Sequence, residues 1–108
     1  MQIDQSTVAV VTGTASGIGR ALAMRLAQAG ATLILNDVNE KALNETGAAV
    51  AVLGAKCSTH VFDVSDNAAV KNFAEEVLER YGRVNLLINN AGVALHGTFE
   101  ELSIADIE

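Results

Sequence analysis

Val8–Gly19, reading VAVVTGTASGIG, is the stretch that leaves this chain the fewest choices. Val8-Ala9-Val10-Val11 is a short apolar run bounded by Thr12-Gly13. Such a run reads as a strand buried on both faces, as strands of parallel sheets are. Gly13, Gly17 and Gly19 follow, and a helical pattern begins at once. A strand that passes through a glycine turn into a helix makes a place for an anion. The first N–H groups of a helix have no intrahelical acceptor, and the helix dipole favours negative charge there. Glycine also removes the Cβ that would keep a phosphate off the backbone. The turn is therefore expected to hold a pyrophosphate, with Gly13, Ser16, Gly17, Ile18 and Gly19 around it. A glycine turn that only lets a helix pack closely is the plainer alternative.

The rest of the chain keeps alternating. Strands are predicted over about residues 7–12, 32–37, 58–63 and 84–89. The first predicted helix runs over 17–29, with Ile18, Leu22 and Leu26 on its inner face beside Ala23 and Ala27. The second starts at the cap Asn39 and buries Leu43, Thr46, Val50 and Leu53. The third starts at Ser65 or Asp66 and buries Val70, Phe73, Val77 and Tyr81. Gly30, Gly54 and Gly82 are the expected stops. Ser103-Ile-Ala-Asp106 reads as a capping box that opens a fourth helix. The order βαβαβαβ means an α/β fold, a parallel sheet with helical crossovers. Right-handed crossovers put the first two helices on one face. If strand four lies beside strand one, the sheet order is 3-2-1-4. The winding then reverses between strands one and four, where open α/β sheets bind their ligands.

Composition narrows the partners. The chain has 108 residues, 7 Lys and Arg against 13 Asp and Glu, and a net charge of −6. That size suits one domain over residues 1–108. No basic cluster is present, which argues against a nucleic-acid partner. No apolar run is long enough to span a membrane. Met1-Gln-Ile-Asp-Gln has neither the basic start nor the apolar stretch of a signal peptide. Cys57 is the single cysteine, so no internal disulfide forms and a reducing cytoplasm is the expected location.

Polar residues at the predicted strand tips extend the site. Asp37 ends strand two, where a carboxylate can accept hydrogen bonds from both hydroxyls of an adenosine ribose. It would repel a 2′-phosphate, and no Lys or Arg in Thr14-Ala15-Ser16 offsets that, so NAD is expected over NADP. A loop cap is the alternative role for Asp37. Asp63-Val64 ends strand three, placed to meet an adenine amino group and ring; a cap at the start of the next helix serves as well. Buried Asn is costly unless paired. Asn89 is expected to tie strands together, and Asn90, Ala91 and Gly92 to lie under the adenosine; a plain polar turn is the alternative. His60 and His96 lack metal-ligand spacing. Tyr81 fits a core stripe, and Cys57 reads as a small packed hydrophobe.

Together these residues resemble the classical short-chain dehydrogenase/reductase family. Thr12-Gly13-Thr14-Ala15-Ser16-Gly17-Ile18-Gly19 matches its TGxxxGxG motif, and Asn89-Asn90-Ala91-Gly92 its NNAG. Asp37 and Asp63 fall where the family places its ribose and adenine acids. The resemblance implies a Rossmann-like three-layer domain and reversible NAD-linked oxidation of an alcohol to a ketone. It covers about residues 7–108, the first half of the family's domain, cut after strand four. The family's catalytic Asn, Ser and Tyr-x-x-x-Lys fall after strand four, the Asn in the helix that Ser103 opens and the rest beyond it. No catalytic residue is therefore assigned here, and no metal. Two departures stand out: Asn85 replaces the family's usual Asp, which puts one bond near the sheet in doubt, and no Lys precedes strand one.

The expected identity is thus the NAD-binding half of such an enzyme, inactive as this chain alone. Two rivals remain: a non-catalytic NAD or ADP-ribose module, and a half-domain that pairs with a partner chain. The open edge of strand four is expected to drive self-association.

Overall fold

In the computed structural model, residues 2–15, 17–90 and 98–99 are described. Through residue 90, four described strands alternate with three helices: β1 Val8–Thr12, α1 Gly17–Gln28, β2 Thr32–Asp37, α2 Glu40–Val52, β3 Cys57–Val61, α3 Asn67–Tyr81 and β4 Leu86–Asn89. The sheet is parallel and its order is β3-β2-β1-β4. The reversal of winding therefore lies between β1 and β4, as the alternation of elements implies.

Period-two alternation sorts the core into two layers. Val8 and Val10 of β1 and Ile34 of β2 point toward α3, where Val70, Phe73 and Val77 meet them. Ala9 and Val11, with Leu33 and Leu35, point to the other face, against Ala23 and Leu26 of α1 and Leu43 and Val50 of α2. All five residues of β1 are buried. This is why the strand reads as one continuous apolar run: both of its faces are covered by helices. β4 is half-buried along its length, because among the described residues it pairs with β1 alone.

Two expected core positions are not core. Ile18 is 71% exposed. The inner stripe of α1 is Gly19, Ala23, Leu26 and Ala27, because small residues let the start of the helix press against the glycine turn. That rotation leaves Ile18 outside and Leu22 half-buried. Leu53 is 41% exposed, because α2 stops at Val52 and Leu53 is its C-cap, beyond the last packed turn. The remaining caps follow chemistry. Asn39 accepts from the Ala42 N–H and Asp66 from the Ala69 N–H, so Asp66 rather than Ser65 opens α3. β3 is shorter than expected and ends at Val61. The helix expected from Ser103 lies outside the described residues.

Candidate functional site

Register brings the polar strand tips to one edge. Thr12 of β1 pairs with Asn36 of β2 on one side and Asn89 of β4 on the other. The Thr12 hydroxyl donates to Asn89 Oδ1 at 3.0 Å, so Asn89 ties β4 to β1. At the opposite end, Asn85 Oδ1 accepts from the Val8 N–H at 2.8 Å. The bond left in doubt by the Asp-to-Asn departure is therefore made, since an amide oxygen accepts as a carboxylate does.

The glycine turn is as tight as its spacing implies. A Cβ on Gly19 would lie 2.0 Å from the carbonyl oxygen of Gly13; the start of α1 thus rests directly on the turn. Gly17 has φ +62° and a Cβ there would meet nothing within 4 Å. The space beside it is open, and the first N–H groups of α1 have no helical acceptor. Asn90 donates from Nδ2 to the Gly13 carbonyl at 3.2 Å, so it braces the turn from the β4 side. Ser16, Ala91 and Gly92 lie outside the described residues, as does His96.

Asp37 stands beside this turn. Its Oδ2 accepts from the Ala15 N–H at 2.9 Å, and its Oδ1 from the Asn39 N–H at 3.0 Å. The carboxylate thus caps its own loop and grips the glycine turn at once. Each oxygen retains a further lone pair for an incoming hydroxyl. Asp63 is exposed, and its Oδ1 accepts from both the N–H and the hydroxyl of Ser65, at 2.9 and 2.8 Å. Those bonds, the backbone one first, hold its carboxyl below the ordinary carboxylate range. It remains an anion two residues past the end of β3 rather than on the strand tip expected for it, beside the buried Val64.

Three residues of the site were not singled out by sequence reasoning. Thr14 is buried, and both its N–H and its hydroxyl donate to the Asn36 carbonyl, each at 3.1 Å. The Asn36 amide donates onward to the carbonyls of His60 and Phe62, at 3.1 and 3.0 Å. Where β3 stops pairing, this side chain continues the ladder and leads the chain into Asp63-Val64. Val38, 63% exposed next to Asp37, adds an apolar surface at the mouth. The signal was available for Asn36: an amide at the end of a buried apolar strand must find partners.

His60 and Tyr81 belong to a separate cluster below the site. His60 Nε2 lies 3.0 Å from Ser58 Oγ, and the Tyr81 hydroxyl donates to the same oxygen at 3.3 Å. Burial pushes the His60 imidazole below its ordinary range and the Cys57 thiol above its own. No group of three or more metal-ligating side chains occurs among the described residues. No described helix is long and apolar enough to cross a membrane.

The sequence pattern of the family described as short chain dehydrogenase matches residues 7–108. The chain belongs to that family. A curated relative of this short-chain dehydrogenase is the (2S)-[(R)-hydroxy(phenyl)methyl]succinyl-CoA dehydrogenase subunit BbsD of Thauera aromatica. It is 34% identical over 102 residues, covering 94% of this chain and 41% of the relative. The chain thus spans about two-fifths of the length of that protein. Among solved structures, an NAD+-bound xylitol dehydrogenase superposes with a TM-score of 0.79 at 34% identity, over 86% of this chain and 35% of that one. A metagenomic short-chain oxidoreductase in complex with NADP also reaches 0.79, at 35% identity, over 86% of this chain and 42% of that one. The short-chain dehydrogenase fold of these relatives therefore serves either dinucleotide.

Proposed function

We propose that this chain is the NAD-binding half of a short-chain dehydrogenase whose parent reaction is reversible oxidation of an alcohol to a ketone. The observation that carries the reading is the bond from the Ala15 N–H to Asp37 Oδ2: it makes the phosphate turn and the ribose acid one site. The residues fit a dinucleotide. Gly13, Gly17, Ile18 and Gly19 present backbone and one exposed apolar side chain to the diphosphate, and the sequence motif assigns Ser16 to the same turn. Asp37 accepts from the ribose hydroxyls, and Asp63 with Val64 meets the adenine. Asn90 closes the turn from the β4 side, and the sequence motif assigns Ala91 and Gly92 to the adenosine.

Asp37 supports NAD over NADP. A carboxylate beside the turn would stand against a 2′-phosphate, and Thr14-Ala15 offers no cation to offset it. When bound, the nicotinamide cofactor supplies the hydride chemistry. The chain's own residues bind and orient its adenosine diphosphate end. A proton relay to the alcohol oxygen is also needed, and we assign no residue of this chain to it, so the chain alone is inactive. A lone, half-buried Cys57 suits a reducing cytoplasm.

Titration calorimetry tests this reading. NAD and ADP-ribose bind about equally, since every residue assigned to the site meets the adenosine diphosphate half, and NADP binds more weakly. Equal affinity for NAD and NADP removes the specificity claim. No binding of any of the three removes the site. The outer edge of β4 favours a second feature: its half-buried Leu86, Leu87 and Ile88 pair with a further strand, from the same protein or from a second copy.

A further inference from the structure

We propose that Thr46, on α2, is a positioning residue that sets ribose specificity by fixing the peptide unit on which Asp37 is held. Thr46 lies in the apolar stripe of α2 between Leu43 and Val50, and all three are fully buried. A buried hydroxyl must find an acceptor. Helical threonines commonly donate to a carbonyl of their own preceding turn. Thr46 instead donates out of its helix, to the Thr14 carbonyl at 2.8 Å.

That carbonyl and the Ala15 N–H belong to one peptide unit. The unit is planar and trans, so its C=O and N–H point in opposite directions. The carbonyl end is held by Thr46, and the N–H end by Asp37 Oδ2 at 2.9 Å. Thr14 cannot swivel between them, because its own N–H and hydroxyl are both spent on the Asn36 carbonyl. The peptide is clamped across the mouth of the turn, with a neutral buried donor behind it and the ribose acid in front. Without the Thr46 hydroxyl the Thr14 carbonyl is a buried acceptor with no donor from α2. The peptide then gains by tilting toward water, and its N–H leaves Asp37. Thr46 touches no nucleotide; it acts through the orientation of that peptide and hence of the carboxylate.

The inference rests on the reading of Asp37 as the ribose acid, and the test separates the two. In the intact protein, Thr46→Val, Thr46→Ser and Asp37→Ala are titrated with NAD and with NADP. Amide exchange at Ala15 is followed without nucleotide. Thr46→Val weakens NAD binding about fivefold to tenfold, the size of one lost buried hydrogen bond. It changes NADP less, so the ratio narrows, and the Ala15 amide exchanges faster. Thr46→Ser, which keeps the hydroxyl, behaves as the parent in both readouts. If Asp37→Ala leaves the NAD to NADP ratio unchanged, the reading of Asp37 fails. If Asp37→Ala narrows the ratio and Thr46→Val does not, the inference about Thr46 fails. Unchanged Ala15 exchange in Thr46→Val overturns the clamp whatever the nucleotides do, and a Ser variant as impaired as the Val one assigns the effect to packing. Where Thr46→Val melts too low to titrate, Thr46→Ala carries the same comparison.

Discussion

The Ala15 N–H donates to Oδ2 of Asp37 across 2.9 Å, joining the turn after β1 to the tip of β2. One carboxylate thereby performs two tasks, shaping the glycine turn and facing the crevice. Asp37→Ala removes both. NAD binding is expected to weaken roughly tenfold to hundredfold, the span of hydrogen bonds made to a charged group. NADP loses less, because the repulsion of its extra phosphate disappears with the carboxylate. Paired titrations of the two dinucleotides check this; an unchanged ratio would take Asp37 out of the site.

The glycines of the turn are not equivalent. A Cβ on Gly19 would sit 2.0 Å from the Gly13 carbonyl oxygen, a backbone atom. Gly19→Ala must therefore lift α1 off the turn, and nucleotide binding is expected to vanish together with a clear loss of melting temperature. Gly17 has open space but a positive φ, so Gly17→Ala costs about 1–2 kcal/mol of strain without a clash. Melting curves of the two variants order them; a Gly19→Ala protein as stable as Gly17→Ala contradicts the packing described for the turn.

His60 gives a pH dependence of known sign. Burial comes first among the causes that lower its folded pKa from the ordinary 6.5, with Arg80 adding to it and Glu76 opposing it. Below the ordinary value the unfolded chain therefore binds a proton that the folded chain does not, and stability falls as pH drops toward the folded pKa. The melting temperature is expected to decline as pH falls below the ordinary 6.5. His60→Gln, which can still bond Ser58, flattens that decline. An equally steep decline in the variant assigns the effect to other groups.

The outer edge of β4 predicts association. Leu86, Leu87 and Ile88 are half-buried on a strand that pairs with β1 alone among the described strands, and apolar edges recruit further strands. The 108-residue chain by itself is expected to sediment as dimers or larger species. A monomer at high concentration whose β4 amides are nonetheless protected from exchange contradicts this.

Most of the frame was legible because the signals were redundant. Val8-Ala9-Val10-Val11 announces a strand covered on both faces, Asn39 and Asp66 announce helix starts, and the alternation of strand and helix leaves one ordinary topology. Ile18 and Leu53 were misjudged for one reason: helical periodicity names a face but not its rotation or its last packed turn. Packing of Gly19 and Ala23 turned α1 away from Ile18, and the end of α2 released Leu53. Asp37 and Asn89 were legible as strand-tip polar residues, whereas Asp63 falls two residues past the end of β3. Thr14 and Thr46 were not legible, because their roles depend on contacts between segments far apart in sequence, and the signal in Asn36 was only that its amide needs partners. Thr46 in an apolar stripe showed only that a partner was needed, and the fold alone identifies it as the Thr14 carbonyl.

A nucleotide diphosphate lying against the start of α1 is the central feature of the proposed site. Amide resonances mapped by NMR during titration with ADP-ribose test this directly. The largest shifts are expected at Gly13, Ala15, Gly17 and Gly19, with Asp37 and Asp63 following and the opposite end of the sheet, around Lys56 and Gln28, unmoved. Shifts that spare the glycine turn, or that centre on that opposite end, would contradict it.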